Sequence, residues 1–235
     1  MTPLWARAYG VVGRPRATFA TIVRAPAWIS ALVTTTIVTF VCSAAFLRTP
    51  VGQQALVDQW ERTAFAFGQS VDDAAYDRME ARVARPGFRL TYVTVTTLAS
   101  GPVAAGALAL FFRLVLNRTT GRQASLGQVL AIVSHAGFVL ALRQVVATPV
   151  DYVRESTTNP ATLAQFFSML DETSWAARVL GAIDLLVVWW LLVLAIGLST
   201  LYPRSAGRLT LVFTGAYLVI ALLAALTMAV SGGTA

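Results

Sequence analysis

The stretch that decides the fold is Arg178–Leu201, with the sequence RVLGAIDLLVVWWLLVLAIGLSTL. Its apolar run is long enough for an α-helix to cross a bilayer, which takes about 20 residues. One acid, Asp184, lies inside the apolar run. An ionisable side chain there is costly unless it is paired or hydrated. The stretch therefore predicts a membrane-spanning helix whose acid has a partner on another helix.

The composition of the whole chain indicates an integral membrane protein. Of its 235 residues, 57% are hydrophobic and 12% are charged, whereas soluble domains carry about 25% charged residues. The net charge of +7 does not indicate a nucleic-acid partner, because the arginines gather at the ends of apolar runs, where lipid headgroups account for them. Cys42 is the only cysteine, so no internal disulfide and no cysteine metal cluster is expected, and no cofactor is implied.

Hydropathy predicts an all-α polytopic bundle of five membrane-spanning helices. The spans are expected at about residues 28–47, 90–116, 125–148, 178–201 and 209–230. Residues 28–235 then form a single membrane domain, with two polar loops over 48–89 and 149–177. Amphipathic helices are expected in both loops, one of them opened by a capping box of Ser70 and Asp73, and one carrying an apolar stripe from Leu163 to Leu170.

Residues 1–27 form a basic segment with no acid. Pro15 can open a short helix because its missing N–H costs nothing at the first helical position. Phe19, Ile22 and Val23 share one face of that helix. The segment therefore predicts an interfacial helix on the cytoplasmic leaflet, and a disordered basic tail is the alternative.

The charges predict the orientation of the chain. Residues 1–27, 117–124 and 202–208 contain arginines and no acid, whereas the two polar loops hold ten of the eleven acids. The positive-inside rule then places the N-terminus in the cytoplasm, and five spans place the C-terminus outside.

Arg143 is the predicted partner of Asp184. In this orientation both residues lie about 7–9 Å below the outer boundary of adjacent antiparallel spans, at about 1.5 Å per helical residue. Gln128 and His135 share a face of the third span and form a further polar site. There the histidine either carries protons or is a packed, hydrogen-bonded side chain.

Small residues and a proline mark places where helices are expected to pack closely. These residues are Gly101, Pro102, Gly106, Gly181 and Gly197. Pro102 is also expected to kink the second span.

The chain resembles the Yip1 family of five-span membrane proteins. The resemblance rests on Pro15-Arg-Ala-Thr-Phe19, on the centre of spans 2 and 3, and on DLLVVWWLLVLAIG from Asp184 to Gly197. It implies five spans and a cytoplasmic N-terminus. In eukaryotes the family is associated with Rab GTPases, ER–Golgi traffic and membrane shaping, through a longer N-terminal region. The arginine-only usage is typical of a GC-rich bacterial genome, so a bacterial member in the inner (plasma) membrane is implied, and a Rab-type partner is implied only in a eukaryote.

The expected function is that of a non-enzymatic scaffold or accessory subunit, with the lipid bilayer, other membrane proteins or a second copy as partners. A small transporter or permease is the alternative, because Arg143, Asp184 and His135 could line a polar path. An enzyme is not expected. Ser134 and His135 are adjacent and point about 100° apart on a helix, and the sequence holds no known catalytic motif.

Overall fold

The computed structural model describes residues 3–155, 161–167 and 175–232. These residues are mainly helical, and the one isolated β-bridge among them joins Thr162 and Asp184. The α-helices are α1 Leu4–Gly13, α2 Pro15–Ile22, α3 Trp28–Arg48, α4 Pro50–Ala66, α5 Asp73–Val83, α6 Pro86–Val93, α7 Ser100–Thr120, α8 Leu126–Val153, α9 Trp175–Gly181, α10 Leu185–Leu201 and α11 Ala206–Gly232. The predicted all-α fold class is confirmed.

Four helices within the described residues are long and apolar enough to cross a membrane. They are α3, the helix running from Pro86 to Thr120, α8, and α11 over Ala206–Leu223. α10 is also apolar but has only 17 residues, or about 25 Å of helix. These five helices overlap the five predicted spans, so the chain is a polytopic helical membrane protein. The orientation of its termini stays a prediction.

The predicted continuous helix over residues 178–201 is wrong. α9 ends at Gly181, and α10 begins at Leu185. The three residues between them are not helical. Asp184 therefore does not lie inside a helix but directly before α10. Aspartate is a preferred residue at that position, because the helix dipole favours an acidic side chain at the N-terminus.

The second span is one long helix with an internal irregularity. A π-helical segment, Thr94–Ala99, joins α6 to α7. Pro102 comes three residues after this segment, and a proline ring displaces the carbonyl four residues earlier, which here is that of Leu98. The π-helical turn therefore includes Leu98, the residue whose carbonyl loses its helical hydrogen bond to Pro102.

Two local predictions in the polar loops are wrong. α5 is capped by Asp72, whose Oδ1 accepts a hydrogen bond of 2.6 Å from the Ala75 N–H, and not by a box of Ser70 and Asp73. The described part of the stripe that begins at Leu163 is a single 3₁₀ turn, Leu163–Phe166, and Leu170 lies outside the described residues. The Leu163 N–H bonds to the carbonyl of Ile183, which ties this segment to the break before α10.

The chain divides into two compact units. The first comprises residues 1–39, 96–144 and 186–216. Its centre is α8: 56% of the most apolar 18-residue window of this helix is buried, against 11% in each of the other three candidate spans. The side chains with no exposed surface include Phe19, Val129, Ile132, Ala136, Val139, Leu194 and Leu198. In a bilayer such a core is held by close packing more than by the hydrophobic effect.

The second unit comprises residues 40–95, 145–185 and 217–235. The end of α3, together with α4, α5 and α6, forms a core of Leu47, Leu56, Val57, Val83 and Val93. Beside this core, the Tyr76 hydroxyl donates a 3.0 Å hydrogen bond to Asp58. Burial, followed by the Asp58 carboxylate, raises the pKa of Tyr76, so this hydroxyl remains a donor at neutral pH.

The turn between α3 and α4 depends on a glycine. Thr49 caps α4, and its Oγ1 accepts a 3.0 Å hydrogen bond from the Gly52 N–H. A Cβ at Gly52 would also lie 2.6 Å from the carbonyl carbon of Phe46. Because backbone atoms cannot move aside as a side chain can, only glycine fits at this position.

Candidate functional site

The candidate site is centred on His135 of α8, whose side chain has no exposed surface. Its Nδ1 lies 2.8 Å from the carbonyl oxygen of Ala131, and its Nε2 lies 3.3 Å from Nη1 of Arg7. A guanidinium only donates hydrogen bonds, so Nε2 accepts from Arg7. The ring proton is then on Nδ1, which donates to Ala131. His135 is therefore a neutral imidazole with both nitrogens bonded.

Arg7 reaches His135 from α1, the first helix of an N-terminal hairpin formed by α1 and α2. Val11 has no exposed surface, and Leu4 and Ala8 pack against the same core. These three positions share one helix face by their spacing, and Arg7 lies next to them. His135 is nine residues into α8, about 13 Å along the helix, so the tip of the Arg7 side chain reaches well into the bundle.

The second helix of the hairpin packs into a recess in α10. α2 begins at Pro15 as predicted, and Phe19 and Ile22 are buried. A Cβ at Gly197 would lie 3.3 Å from the Phe19 ring and 2.6 Å from Cγ2 of Ile132. The absence of a side chain at Gly197 therefore makes room for Phe19. The apolar face of this helix packs on protein and not on lipid, which corrects the expected interfacial arrangement.

The outward face of α1 is apolar and aromatic. Trp5 is 75% exposed, Tyr9 is 78% exposed, and Val12 follows at 38%. Their spacing of four and three residues places them on one side of the helix. The N-terminal hairpin thus has an inner face in the bundle core and an outer face that is free to meet lipid.

Gln128 has a structural partner of its own at the start of α8. Its Oε1 accepts a 3.0 Å hydrogen bond from the Ser125 N–H, and the Ser125 hydroxyl accepts a 3.2 Å bond from the Gln128 N–H. This reciprocal pair is a capping box. The Gln128 side-chain amide also lies 3.5 Å from the carbonyl of Val23. Gln128 and His135 thus hold different parts of the hairpin to α8.

Asp184 lies where the chain breaks before α10. Its backbone N–H donates a 2.9 Å hydrogen bond to the Tyr217 hydroxyl, which in turn donates to the carbonyl of Ala182 at 3.0 Å. The N–H of Leu185 bonds to the carbonyl of Ala161. Tyr217 and the segment at 161–163 therefore satisfy backbone groups that a continuous helix would have paired internally. Asp184 itself is 5% exposed.

The other predicted positions have different surroundings. A Cβ at Gly181 would be 3.9 Å from Ala164, an ordinary contact, whereas a Cβ at Gly101 or Gly106 would meet no described atom within 4 Å. The pairing of Arg143 with Asp184 stays a prediction from the sequence. The matching depths of Arg143 and Asp184 were worked out for a continuous helix from residue 178. The structure instead has a break before α10.

Two partly buried polar contacts were not predicted. The Tyr202 hydroxyl donates a 2.8 Å hydrogen bond to Oδ1 of Asn117, which also accepts from the Ala124 N–H at 3.1 Å. This pair joins the end of α7 to the residue after α10. The second contact is that of Arg7 with His135. The apolar spacing on α1 was a signal for burial of the helix around Arg7, but no sequence signal named the histidine as its partner.

Comparison with known proteins identifies one family. The Yip1 domain matches residues 9–228. This range covers the hairpin from Tyr9 onward, the four candidate membrane-spanning helices apart from the last residues of α11, and the shorter apolar helix α10. No curated protein and no solved structure is significantly similar to the chain. Two of the segments that carry the resemblance, those ending at Phe19 and at Gly197, contact one another in the structure. The match spans nearly the whole chain, and the protein is therefore an integral membrane protein of the Yip1 domain family.

Proposed function

We propose that this protein is a non-enzymatic scaffold or accessory subunit that organises other membrane proteins or lipid. The observation that carries the proposal is the state of His135. Its two ring nitrogens are occupied by a backbone carbonyl and by Arg7, so it holds the N-terminal hairpin in place. A proton relay would instead require a histidine whose partners change.

The lipid partner is the part of the proposal with most support. Trp and Tyr prefer the membrane–water interface because their rings are apolar and their tips polar. Trp5 and Tyr9 project from the exposed face of α1, and the exposed Arg14 and Arg16 follow directly. This outward face suits the headgroup region of an anionic leaflet. In a bacterium that leaflet would be the cytoplasmic face of the inner membrane.

A small transporter is the alternative function. It is supported by the ionisable residues Arg143, Asp184 and His135 within or beside apolar helices, because such residues often mark a substrate path. A second copy of the chain would add the helices that five spans lack for a typical transporter.

Reconstitution separates the two functions. Wild-type protein and Asp184→Asn are compared in proteoliposomes for ion leak and for uptake of a broad substrate panel. A scaffold leaves both at the level of protein-free vesicles. Saturable uptake by the wild type that Asp184→Asn abolishes would overturn the proposal.

Photo-crosslinking in native membranes tests the scaffold directly. A photoreactive amino acid is placed at Leu211 on the exposed side of α11, where 75% of the side chain is accessible, and at the fully buried Leu198 of α10 as the matched control. A scaffold gives a discrete protein adduct from Leu211 and none from Leu198. If several exposed positions crosslink to lipid alone, the protein has no stable protein partner, and the part of the proposal that concerns other membrane proteins fails.

A further inference from the structure

The first unit contains a cavity of about 240 Å³ between α3, α7, α8, α10 and the π-helical segment. Six hydroxyl side chains and one indole line it among aliphatic side chains. The hydroxyls belong to Thr35, Thr36, Thr39, Thr96, Thr97 and Ser134, and the indole belongs to Trp190. An apolar wall with a few polar groups has the general make-up of a small-molecule site.

The cavity exists because small residues and a widened turn meet. Gly101 and Gly137 line it, and a Cβ at Gly101 would meet no described atom within 4 Å. The π-helical segment Thr94–Ala99 precedes Gly101 and presents Thr97, 7% exposed, to the same space. π-helical turns inside α-helices recur at functional sites.

Two polar groups in the lining have unused hydrogen-bonding capacity. Thr35 and Thr39 donate to carbonyls of their own helix, each at 3.0 Å. In contrast, the Ser134 hydroxyl is buried and meets no hydrogen-bond partner among the described residues, and the same holds for Nε1 of Trp190. Serine in a helix usually bonds back to the preceding turn. The unpartnered Ser134 hydroxyl belongs to a residue that is 2% exposed and has almost no accessible surface itself, so it reaches a partner in the cavity only by turning toward it.

The lining defines the chemistry of that partner. No charged side chain is among the described lining residues, and a charged ligand would therefore be buried without compensation. The indole N–H of Trp190 can only donate, which requires an acceptor oxygen on the ligand. The rest of the wall is aliphatic. Val33 and Ile37 of α3 are exposed on the outside of the same helix, so the surrounding solvent is the bilayer.

We infer that this cavity binds the carbonyl-bearing part of an uncharged, lipid-soluble molecule, and that Trp190 and Ser134 turn toward the cavity to donate hydrogen bonds to that carbonyl oxygen. Two common membrane components carry that group on an apolar body. One is a neutral glycerolipid with ester carbonyls, and the other is an isoprenoid quinone with ring carbonyls. The inference does not depend on the scaffold function, because it concerns occupancy of the cavity and not a partner protein.

Native mass spectrometry of the full chain released from detergent micelles tests the inference. One arm adds 1,2-dioleoylglycerol, and the other adds decylubiquinone. The arm that gives a saturable one-to-one adduct identifies the source of the carbonyl. If neither probe gives such an adduct with the wild-type protein, the cavity holds only water and the inference is wrong.

Matched variants locate the adduct. Gly101→Leu fills the cavity, whereas Gly106→Leu adds the same side chain at another open position of α7 that does not line it. Gly101→Leu should abolish the adduct, and Gly106→Leu should retain it. Equal binding of the probe by these two variants would show that the adduct does not form in this cavity, and the inference would be wrong.

A second pair of variants keeps the test decisive if Gly101→Leu does not fold. Trp190→Phe removes the indole donor and keeps an aromatic ring. Trp189→Phe makes the same change at the neighbouring residue, which packs against the core of the first unit and is absent from the described lining of the cavity. Loss of one hydrogen bond predicts binding weaker by about three- to tenfold for Trp190→Phe alone. No difference between the two variants would also refute the inference.

Discussion

Gly197→Ala adds one Cβ atom beside Phe19 and so tests how closely the N-terminal hairpin packs there. Alanine is favoured over glycine within a helix by about 1 kcal/mol, so an open site would be stabilised. At Gly197 the added Cβ would lie 2.6 Å from Cγ2 of Ile132 and 3.3 Å from the Phe19 ring. Both neighbours have no exposed surface, and a β-branched side chain on a helix has one preferred rotamer.

The expected cost follows from these two opposing effects. Overpacking of a well-packed core costs about 1–3 kcal/mol, and this cost outweighs or cancels the gain in helix propensity. We therefore expect a net loss of up to roughly 2 kcal/mol, compared with a gain of up to about 1 kcal/mol at an open glycine. In thermal terms the difference between the two kinds of site is several degrees, at about 2–4 °C per kcal/mol for a chain of this length.

The assay is thermal unfolding of the detergent-solubilised protein, measured by far-UV circular dichroism. Gly215→Ala on α11 is the matched control, because a Cβ there would meet no described atom within 4 Å. A double-mutant cycle with Ile132→Ala then isolates the clash: the two changes together should cost less than the sum of the single changes. If Gly197→Ala is as stable as Gly215→Ala, the close packing around Gly197 is refuted.

Three further predictions concern the hairpin, the ionisable pair and the turn before α4. Arg7→Met leaves the buried histidine nitrogen without its donor at a cost of about 1–3 kcal/mol, so hydrogen exchange of α1 should accelerate, whereas Arg16→Met at an exposed position should leave it unchanged. Arg143→Asp combined with Asp184→Arg should recover the thermal stability that each single change lowers, and a swap no better than either single variant would rule out the pairing. Gly52→Ala drives a Cβ into the backbone of α3 and should lower the unfolding midpoint by several degrees, so an unchanged midpoint would contradict the tight turn.

The cavity and the hairpin place different demands on the same helices. Ser134 faces the cavity, and the next residue, His135, bonds to the hairpin. Adjacent helical residues point about 100° apart. One turn of α8 therefore contacts both the cavity and the N-terminal hairpin. Measuring the binding of either ligand probe to Arg7→Met would show whether ligand binding in the cavity is coupled to docking of the hairpin.

The helix break before α10 shows where sequence reasoning failed. The run from Arg178 to Leu201 is apolar enough for one helix, and nothing in its spacing marks a break at Ala182. The break is stable because Tyr217, more than 30 residues later, bonds to both Ala182 and Asp184. Contacts of that sequence separation leave no local pattern, so the position of Asp184 at a helix start was not predictable.

The sequence by itself determined the class of the protein. Long apolar runs must become helices in a bilayer, since every backbone polar group has to be bonded internally there, and this rule predicted the all-α fold and the approximate span positions. The start of α2 at Pro15 was also predictable from local sequence, because it depends on the missing N–H of a single residue.

Only the tertiary structure decided what the polar and small residues of the spans contact. Arg7 meets His135 across more than 120 residues of chain, and Gly197 makes room for Phe19 across a still longer separation in sequence. The cavity between Ser134 and Trp190 likewise depends on four helices meeting. Helical periodicity tells which residues share a face, but the helix opposite that face is selected by packing in three dimensions.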